Sequence, residues 1–322
     1  MLATRGSGGT GRTLLLRADM DALPIQEANE VEYRSLHDGR MHACGHDGHT
    51  AIALTAAARF AAGGAPGRVR FAFQPAEEGG MGADRMIEEG VLDGVDAALG
   101  LHLWNWLPVG KVAVTPGPVM AAVDEFEITV HGRGGHAASP HDTEDPIVRA
   151  AALVQELQTI VSRRVDPVQT VVVSVTSIRG GSAFNVIPEE VTLTGTVRSF
   201  DEGVRDQVHR EIRTMVERCG RVEIDRRTHP LVNDREIAAV VRAAAVEAVG
   251  EENVVDDLRS MTGEDFASFA RAVPSCFFHV GSAGPDAFLH HHPRFDIDER
   301  ALAIGLEVLC GAAERYLERG TA

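Results

Sequence analysis

Residues 41–50 read MHACGHDGHT and set Cys44, His46 and His49 close together, with Asp47 among them. Thiolate and imidazole are the usual protein ligands of zinc and similar divalent ions. Gly45 lets the backbone bend so that the side chains of Cys44 and His46 converge. The same segment would also suit a redox-active or buried cysteine beside solvent-facing histidines. Residues 73–79, FQPAEEG, carry Glu77 and Glu78 directly after the apolar run 69–73. Two adjacent carboxylates at a strand end can divide labour, one holding a metal and the other moving a proton. A water on a divalent cation becomes acidic near neutral pH, and a nearby carboxylate can take its proton and later pass it to a leaving amine. The plain alternative is a solvated pair on a loop. His102 lies among apolar residues in GLHL, where a hydrogen-bonded core histidine is the common outcome. His290, His291 and His292 precede Pro293, and a solvated run is the alternative there. Each of these last three signals is weak alone. Their order, Cys/His, Glu/Glu, His, His, carries more, because residues at the strand ends of one sheet meet at one site.

The elements that must position these residues follow from periodicity and caps. Residues 13–17, 69–73 and 97–103 read as strands, 50–62 as a helix capped by Thr50, and 82–89 as a short helix ended by Gly90. Strands alternating with helices imply a mainly parallel sheet. After Gly117 and Pro118 the pattern changes. Residues 125–131, 169–178, 190–200 and 221–227 read as strands. Residues 146–161 and 201–219 read as helices, the second with Asp201 as N-cap and Gly220 as stop. That β-α-β-β-α-β order is the ferredoxin-like pattern and reads as an inserted domain. From about Pro230 the alternation resumes, with helices over 234–249, 262–271 and 298–319 and a strand over 276–281. The expected fold is two-domain α/β. A catalytic domain with a mixed, mostly parallel sheet spans 1–116 and 229–322, and a lid or dimerisation domain spans 117–228. All the metal-type signals fall in the outer segments.

Composition narrows the function. The chain has 322 residues, of which 31 are basic and 47 acidic, giving a net charge of −16. That balance argues against a general grip on nucleic acid or an anionic membrane. Hydrophobic content of 44% and charged content of 24% are values of a globular chain. No run approaches the roughly 18 apolar residues of a membrane span. The first residues, MLATRGSGGTGR, lack the apolar core of a secretory signal. Four scattered cysteines suit a reducing cytoplasm better than a disulfide framework.

The chain resembles the metal-dependent amidohydrolases that include hippurate hydrolases, N-acyl-amino-acid amidohydrolases and indoleacetyl-amino-acid hydrolases, in the superfamily of the aminoacylases and carboxypeptidase G. The segments that carry the resemblance are LLLRADMDALPIQE, MHACGHDGHTA, FQPAEEGGMGADRMIEEG, GLHLWNWLPVG, HGRGGHAASP, FNVIPEEVTLTGTVRSF, GEDF and HHHPRFDIDE, in that order and nearly end to end. The resemblance implies Cys44, His46, Glu78, His102 and His291 as ligands of one or two zinc or manganese ions. His291 is selected by a His-x-Pro pattern, with His290 and His292 as lesser alternatives. It implies Glu77 as general base and acid, and Asp19 and Asp21 as groups that orient ligands. His136 would polarise the scissile carbonyl, often in the partner subunit's site, with Asn185 and Arg198 as substrate contacts. Trp104 and Trp106 would pack half-buried or line a pocket. The implied reaction is metal-dependent hydrolysis of N-acyl amino acids to a carboxylate and an amino acid by a cytoplasmic homodimer. A dipeptidase or a deacetylase of a biosynthetic intermediate would use the same ligands. Resembling enzymes carry an opening helix and strand before residue 13, so either Met1 is an internal start or the chain is N-terminally truncated with an uncovered sheet edge, and with truncation comes the alternative of a non-catalytic metal-binding dimer.

Overall fold

The structure, a computed structural model, describes residues 2–5, 11–63, 65 and 67–319. The chain forms two compact units. The first comprises Met1–Val119, Leu231–Arg259 and Asp265–Ala322, and the second Met120–Pro230 and Ser260–Glu264.

The first unit opens with β1 (Leu2–Arg5), β2 (Thr13–Asp19), α1 (His46–Gly63), β3 (Arg68–Gln74), α2 (Gly82–Glu88), β4 (Ala97–Pro108) and β5 (Val112–Ala113). The chain then passes through β6 (Gly117–Met120) into the second unit. That unit holds β7 (Ala122–His131), β8 (Gly135–His136), α3 (Pro146–Thr159), β9 (Val171–Arg179), β10 (Val186–Ile187), β11 (Glu190–Ser199), α4 (Glu202–Val216) and β12 (Gly220–Thr228). It returns through β13 (Leu231–Asn233) to α5 (Arg235–Val249), β14 (Val254–Val255), α6 (Phe266–Ala272), β15 (Ser275–Ala283) and α7 (Arg300–Glu318).

The first unit's sheet runs β1-β3-β2-β4-β15-β5-β14. The pairs β2–β3, β2–β4, β4–β15 and β5–β14 are parallel, while β1–β3 and β5–β15 are antiparallel. All seven residues of β2, TLLLRAD, are buried, as expected of a parallel strand covered on both faces. Ile52, Ala56 and Phe60 of α1, Val241 of α5 and Val308 and Leu309 of α7 join Leu14, Leu16, Leu99 and Phe278 in the main core. The strands thus end on a common side, where the loops after β2, β3 and β15 and the entry to α1 carry the candidate chemistry.

In the second unit the sheet runs β12-β7-β11-β9 and is antiparallel throughout. Phe126, Ile128, Leu193 and Val197 pack with Leu153 and Leu157 of α3 and Val208 and Ile212 of α4. Asp145 caps α3 by accepting from Ile147 N at 2.8 Å, and Asp201 caps α4 by accepting from Val204 N at 2.9 Å.

Several expected boundaries move. The helix expected from residue 50 starts at His46, and the Thr50 hydroxyl donates to the Asp19 carbonyl at 3.1 Å instead of capping. The strand expected to end at 103 runs on to Pro108, and Gly220 opens β12. The helix expected over 262–271 is confined to Phe266–Ala272, because the Thr262 carbonyl accepts from Ala121 N at 3.1 Å. At one edge of the first unit's sheet β1 pairs with β3. Among the described residues no helix is long and apolar enough to cross a membrane.

The second unit also buries a charged cluster. Asp124 is fully buried and accepts from Arg205 Nε at 3.0 Å, from the Arg205 Nη2 group and from His209 Nε2 at 2.6 Å. Burial raises the Asp124 carboxyl, but these hydrogen bonds reverse that and leave it below its ordinary 3.8. A carboxyl depressed by folding stabilises fully above its unfolded value and loses that contribution as pH falls through the folded value. We therefore expect Asp124→Ala, which leaves buried Arg205 with Glu202 as its remaining carboxylate at 3.2 Å, to lower the unfolding free energy by about 2–4 kcal/mol in urea titrations near neutral pH. We also expect Asp124→Asn to lose less stability than the parent between pH 6 and pH 3, in the same titrations.

Candidate metal centre and active site

Five chain passages deliver the site. β2 ends in Asp19 and leads to Asp21. The segment before α1 presents Cys44, and the first turn of α1 presents His46 and His49. The turn after β3 carries Glu77 and Glu78. β4 carries His102, and the loop after β15 carries His291. Their donor atoms form overlapping groups within 4.8 Å: Cys44 with His46 and His102, Cys44 with Glu78 and His291, and His46 with Glu77 and Glu78.

Hydrogen bonds decide which nitrogen each imidazole offers. His102 Nδ1 lies 2.7 Å from the Leu103 carbonyl, which can only accept, so Nδ1 carries the proton. Nε2 is left with its lone pair, 3.5 Å from Cys44 Sγ. His46 Nδ1 lies 3.1 Å from the Asp21 carbonyl and 3.3 Å from Asp21 Oδ1. Its Nε2 is the nitrogen left toward the carboxylates, 3.9 Å from Asp19 and 4.0 Å from Glu77. His49 differs, because its Nε2 accepts from Leu103 N at 2.8 Å and its Nδ1 donates to Asp19 at 2.5 Å. Both its nitrogens are used, so His49 is a strut and not a donor for a metal.

His46 Nε2 and Glu78 Oε1 are buried with no hydrogen-bond partner. Glu78 Oε1 lies 3.2 Å from His291 Nε2, a close contact without hydrogen-bond geometry. Orphaned buried polar atoms facing one point are costly unless a cation, a proton or a metal ion, completes them. The local field agrees. Burial pulls the His46 imidazole down, yet Asp19 and the hydrogen bond to Asp21 outweigh it and raise it to about 9. Burial lowers His49 and holds His102 well below the usual imidazole range, so these rings are neutral. Cysteine, imidazole and carboxylate side chains make a donor set that fits a divalent cation of the zinc type, and the field that raises His46 favours positive charge at this point.

Behind the donors lies a buried polar lattice. Arg17 donates to Asp19 at 2.5 Å, to Gln74 at 2.8 Å and to Asp265 at 3.0 Å, and Gln74 donates to Asp265 at 2.8 Å. Burial would raise the Asp19 carboxyl, but Arg17 and His49 hold it well below the carboxylate range. Asp265 ends above its ordinary value through burial. Asp21 accepts from Glu78 N at 2.9 Å and so ties the glutamate turn to the end of β2. Sequence reasoning did not reach Arg17, Gln74 or Asp265. The one available signal was a charged residue inside the apolar run LLLRAD.

The three consecutive histidines separate. His291 turns its ring toward Glu78 with φ at 66°, a left-handed backbone, and its N–H donates to the Ala43 carbonyl at 2.8 Å. Such a conformation costs a non-glycine residue on the order of 1–3 kcal/mol, and such strain gathers at functional sites. His292 accepts from Arg294 N at 3.0 Å and stacks on Phe288. His290 donates from Nε2 to the Leu103 carbonyl at 2.8 Å, and burial pushes it down to about 4. Trp104 is buried, and Trp106 is half-exposed.

In the second unit, β8 and β10 form a ribbon in which His136 pairs with Val186 and the Asn185 carbonyl accepts from Ala137 N at 3.0 Å. His136 is exposed on this ribbon, and its Nδ1 accepts from Ala138 N at 3.0 Å. Arg198 stands on the open face of the sheet, beside a groove that Glu125, Glu127, Glu223 and Asp225 also line. Its Nη1 is buried without a hydrogen-bond partner, and burial lowers the guanidinium from its ordinary value.

Comparison with known proteins agrees with this chemistry. The sequence profile of Peptidase family M20/M25/M40 matches residues 15–315. The chain is 44% identical to the N-acetyl-L-cysteine deacetylase of Bacillus subtilis (strain 168), over 96% of this chain and 75% of the relative. It is 39% identical to IAA-amino acid hydrolase ILR1-like 5 of Arabidopsis thaliana, over 97% of this chain and 76% of the relative. A crystal structure of the Bacillus subtilis YXEP protein, described as a dinuclear metal binding peptidase from the M20 family, superposes with a TM-score of 0.82. It is 35% identical and matches 98% of this chain and 85% of that chain.

The glutamate turn has little room to adjust. Ala76 and Met81 hold φ of 59° and 53°, and a Cβ added at Gly82 would sit 1.8 Å from the Pro75 carbonyl. Helix propensity favours alanine at this position, but the steric term is larger. We expect Gly82→Ala to lower thermal stability by about 1–3 kcal/mol. Gly63→Ala, where an added Cβ meets nothing within 4 Å, should leave stability unchanged or raise it by up to about 1 kcal/mol. Parallel calorimetric melts check both.

Proposed function

The chain belongs to peptidase family M20/M25/M40, a family of metal-dependent hydrolases, and from that premise we propose that it cleaves the amide bond of N-acyl amino acids to a carboxylate and a free amino acid. The observation that carries this reading is the convergence of Cys44, His46, Glu78, His102 and His291 donor atoms beside Glu77, with His46 Nε2 and Glu78 Oε1 orphaned among them. Those five residues would hold one or two divalent ions, zinc or manganese. The bound metal would polarise the scissile carbonyl and acidify a water.

The chain's own groups do the rest. Glu77 takes the proton of the attacking water and returns it to the departing nitrogen, a task suited to a carboxylate next to the donor cluster. Asp21 holds the His46 ring and the Glu78 backbone, and Asp19 holds His49, so the donors keep their orientation through turnover. His136 donates to the developing oxyanion, and Asn185 shares its ribbon and contacts the substrate. Arg198 pairs with the substrate carboxylate, which a guanidinium fits bidentately. Its buried, unpartnered Nη1 supports that role.

We assign residues 1–116 and 229–322 as the catalytic domain and 117–228 as a ferredoxin-like lid or dimerisation domain. The β12-β7-β11-β9 order with two helices packed on the sheet supports the latter. The working form is a homodimer in the cytoplasm, where the four free cysteines would stay reduced.

The test is amino-acid release from N-acetyl, N-benzoyl and indoleacetyl amino acids by zinc- or manganese-loaded protein, with a chelator control. We expect chelator-sensitive release. Glu77→Gln should lower kcat by about 10²–10⁴-fold while metal content stays at the parent level. Folded, metal-loaded protein that released no amino acid from any of these amides would overturn the proposal.

A further inference from the structure

The backbone of Leu103 touches three imidazoles. Its N–H donates to His49 Nε2 at 2.8 Å, and its carbonyl accepts from His102 Nδ1 at 2.7 Å and His290 Nε2 at 2.8 Å. A carbonyl oxygen has two lone pairs, and here two imidazole N–H groups share it. The His290 ring also lies against His102, with centroids 5.2 Å apart, and stacks parallel on Trp106 at 4.7 Å. His290 is, in addition, the residue immediately before His291, and the peptide that joins them is itself tied by the bond from His291 N to the Ala43 carbonyl, ahead of the left-handed backbone of His291.

We propose that His290 is a positioning residue that sets two metal donors at once through its bond to the Leu103 carbonyl: it walls the His102 ring in place and pins the strained turn that presents His291. The inference rests on the reading of His102 and His291 as ligands. Residue 290 needs two separable properties for this role, an N–H at the Nε2 position and a flat ring against Trp106. The donor is the one that reaches the Leu103 carbonyl. The stack holds the ring but reaches no ligand.

Those properties divide between variants. His290→Gln keeps a donor near the Nε2 position and loses the ring. His290→Phe keeps the ring and loses the donor. Trp106→Leu removes the stack and leaves the donor. The probe is zinc, titrated from a competing chelator into the metal-free full chain. Tryptophan emission is the readout, since Trp104 and Trp106 are the chain's two tryptophans and lie 5.1 and 4.7 Å from the His290 ring.

Zinc affinity should fall about 10–100-fold in His290→Phe, the range for losing an outer hydrogen-bond partner of a ligand. It should stay within about threefold of the parent in His290→Gln and Trp106→Leu. Equal affinity in His290→Phe and the parent would overturn the proposal. So would an equal loss in His290→Phe and His290→Gln, since the donor that His290→Gln keeps would then not be what sustains affinity. A parent chain that bound no zinc would instead sink the ligand reading itself. If His290→Phe fails to fold, nitrogen-15 NMR of the parent's imidazoles decides: the proposal requires His290 protonated at Nε2 and His102 at Nδ1, and a proton on His290 Nδ1 rejects it.

Discussion

One buried carboxylate organises the first unit. Asp19 sits at the end of β2 with no exposure to solvent, between the Arg17 guanidinium and the His49 ring. Taking such a charge out of water is costly, and here a fixed cation, a directed N–H and the nearby His46 ring offset the cost. That requirement ties together segments far apart in the chain. Arg17 reaches on to Asp265, Gln74 joins both, and Asp265 accepts from Ala83 N at 3.0 Å at the start of α2. The strand end, the entry to α1, the glutamate turn and α6 are therefore held by one set of hydrogen bonds. The donor cluster is built on its solvent side.

The same lattice explains why the site is electronegative without being repulsive. Arg17 neutralises the innermost carboxylate, so Asp19 stays ionised while Asp265 is pushed toward its neutral form. Asp21 and the glutamates, nearer the surface, supply the field that favours a cation. His49 and His102 stay neutral because burial penalises their charged forms, which keeps their lone pairs or N–H groups assigned to fixed partners.

How far these features were legible in the sequence depended on whether a side chain announced its role by type and company. Cys44 and His46 stand in one short segment, and Glu77 and Glu78, weak alone, follow an apolar run that reads as a buried strand and fall in order with the other signals. Residue type and spacing were enough to single them out. The strands themselves were readable because continuous apolar runs such as TLLLR leave little choice in a sheet covered on both faces. Arg17, Gln74 and Asp265 were not readable, because each is a single polar residue whose meaning is a partner up to 248 positions away. The Leu103 peptide leaves no trace in residue type at all, since its contribution is backbone. Among the three histidines, backbone torsion and the bond to Ala43 set the direction of each ring, and neither has a sequence signal. The start of α6 shifted for a related reason: the residues before it are claimed by the second unit.

The order of strands has a consequence for how the chain acquires its structure during synthesis. β15 lies in the middle of the first unit's sheet, between β4 and β5, yet it is the last long strand made. Until residues 275–283 emerge, β4 has one open side and the first unit cannot close. The second unit is almost continuous in sequence, so it can fold while the first is still waiting. Closing the central sheet then means bringing together strands separated by more than 150 positions, a slow step for a topology dominated by distant contacts. The polar residues of β2, β3 and β4 are made early and buried late. In that interval the half-built sheet is open to wrong pairings, and the prompt arrival of the C-terminal strand and α7 sets how long the exposure lasts.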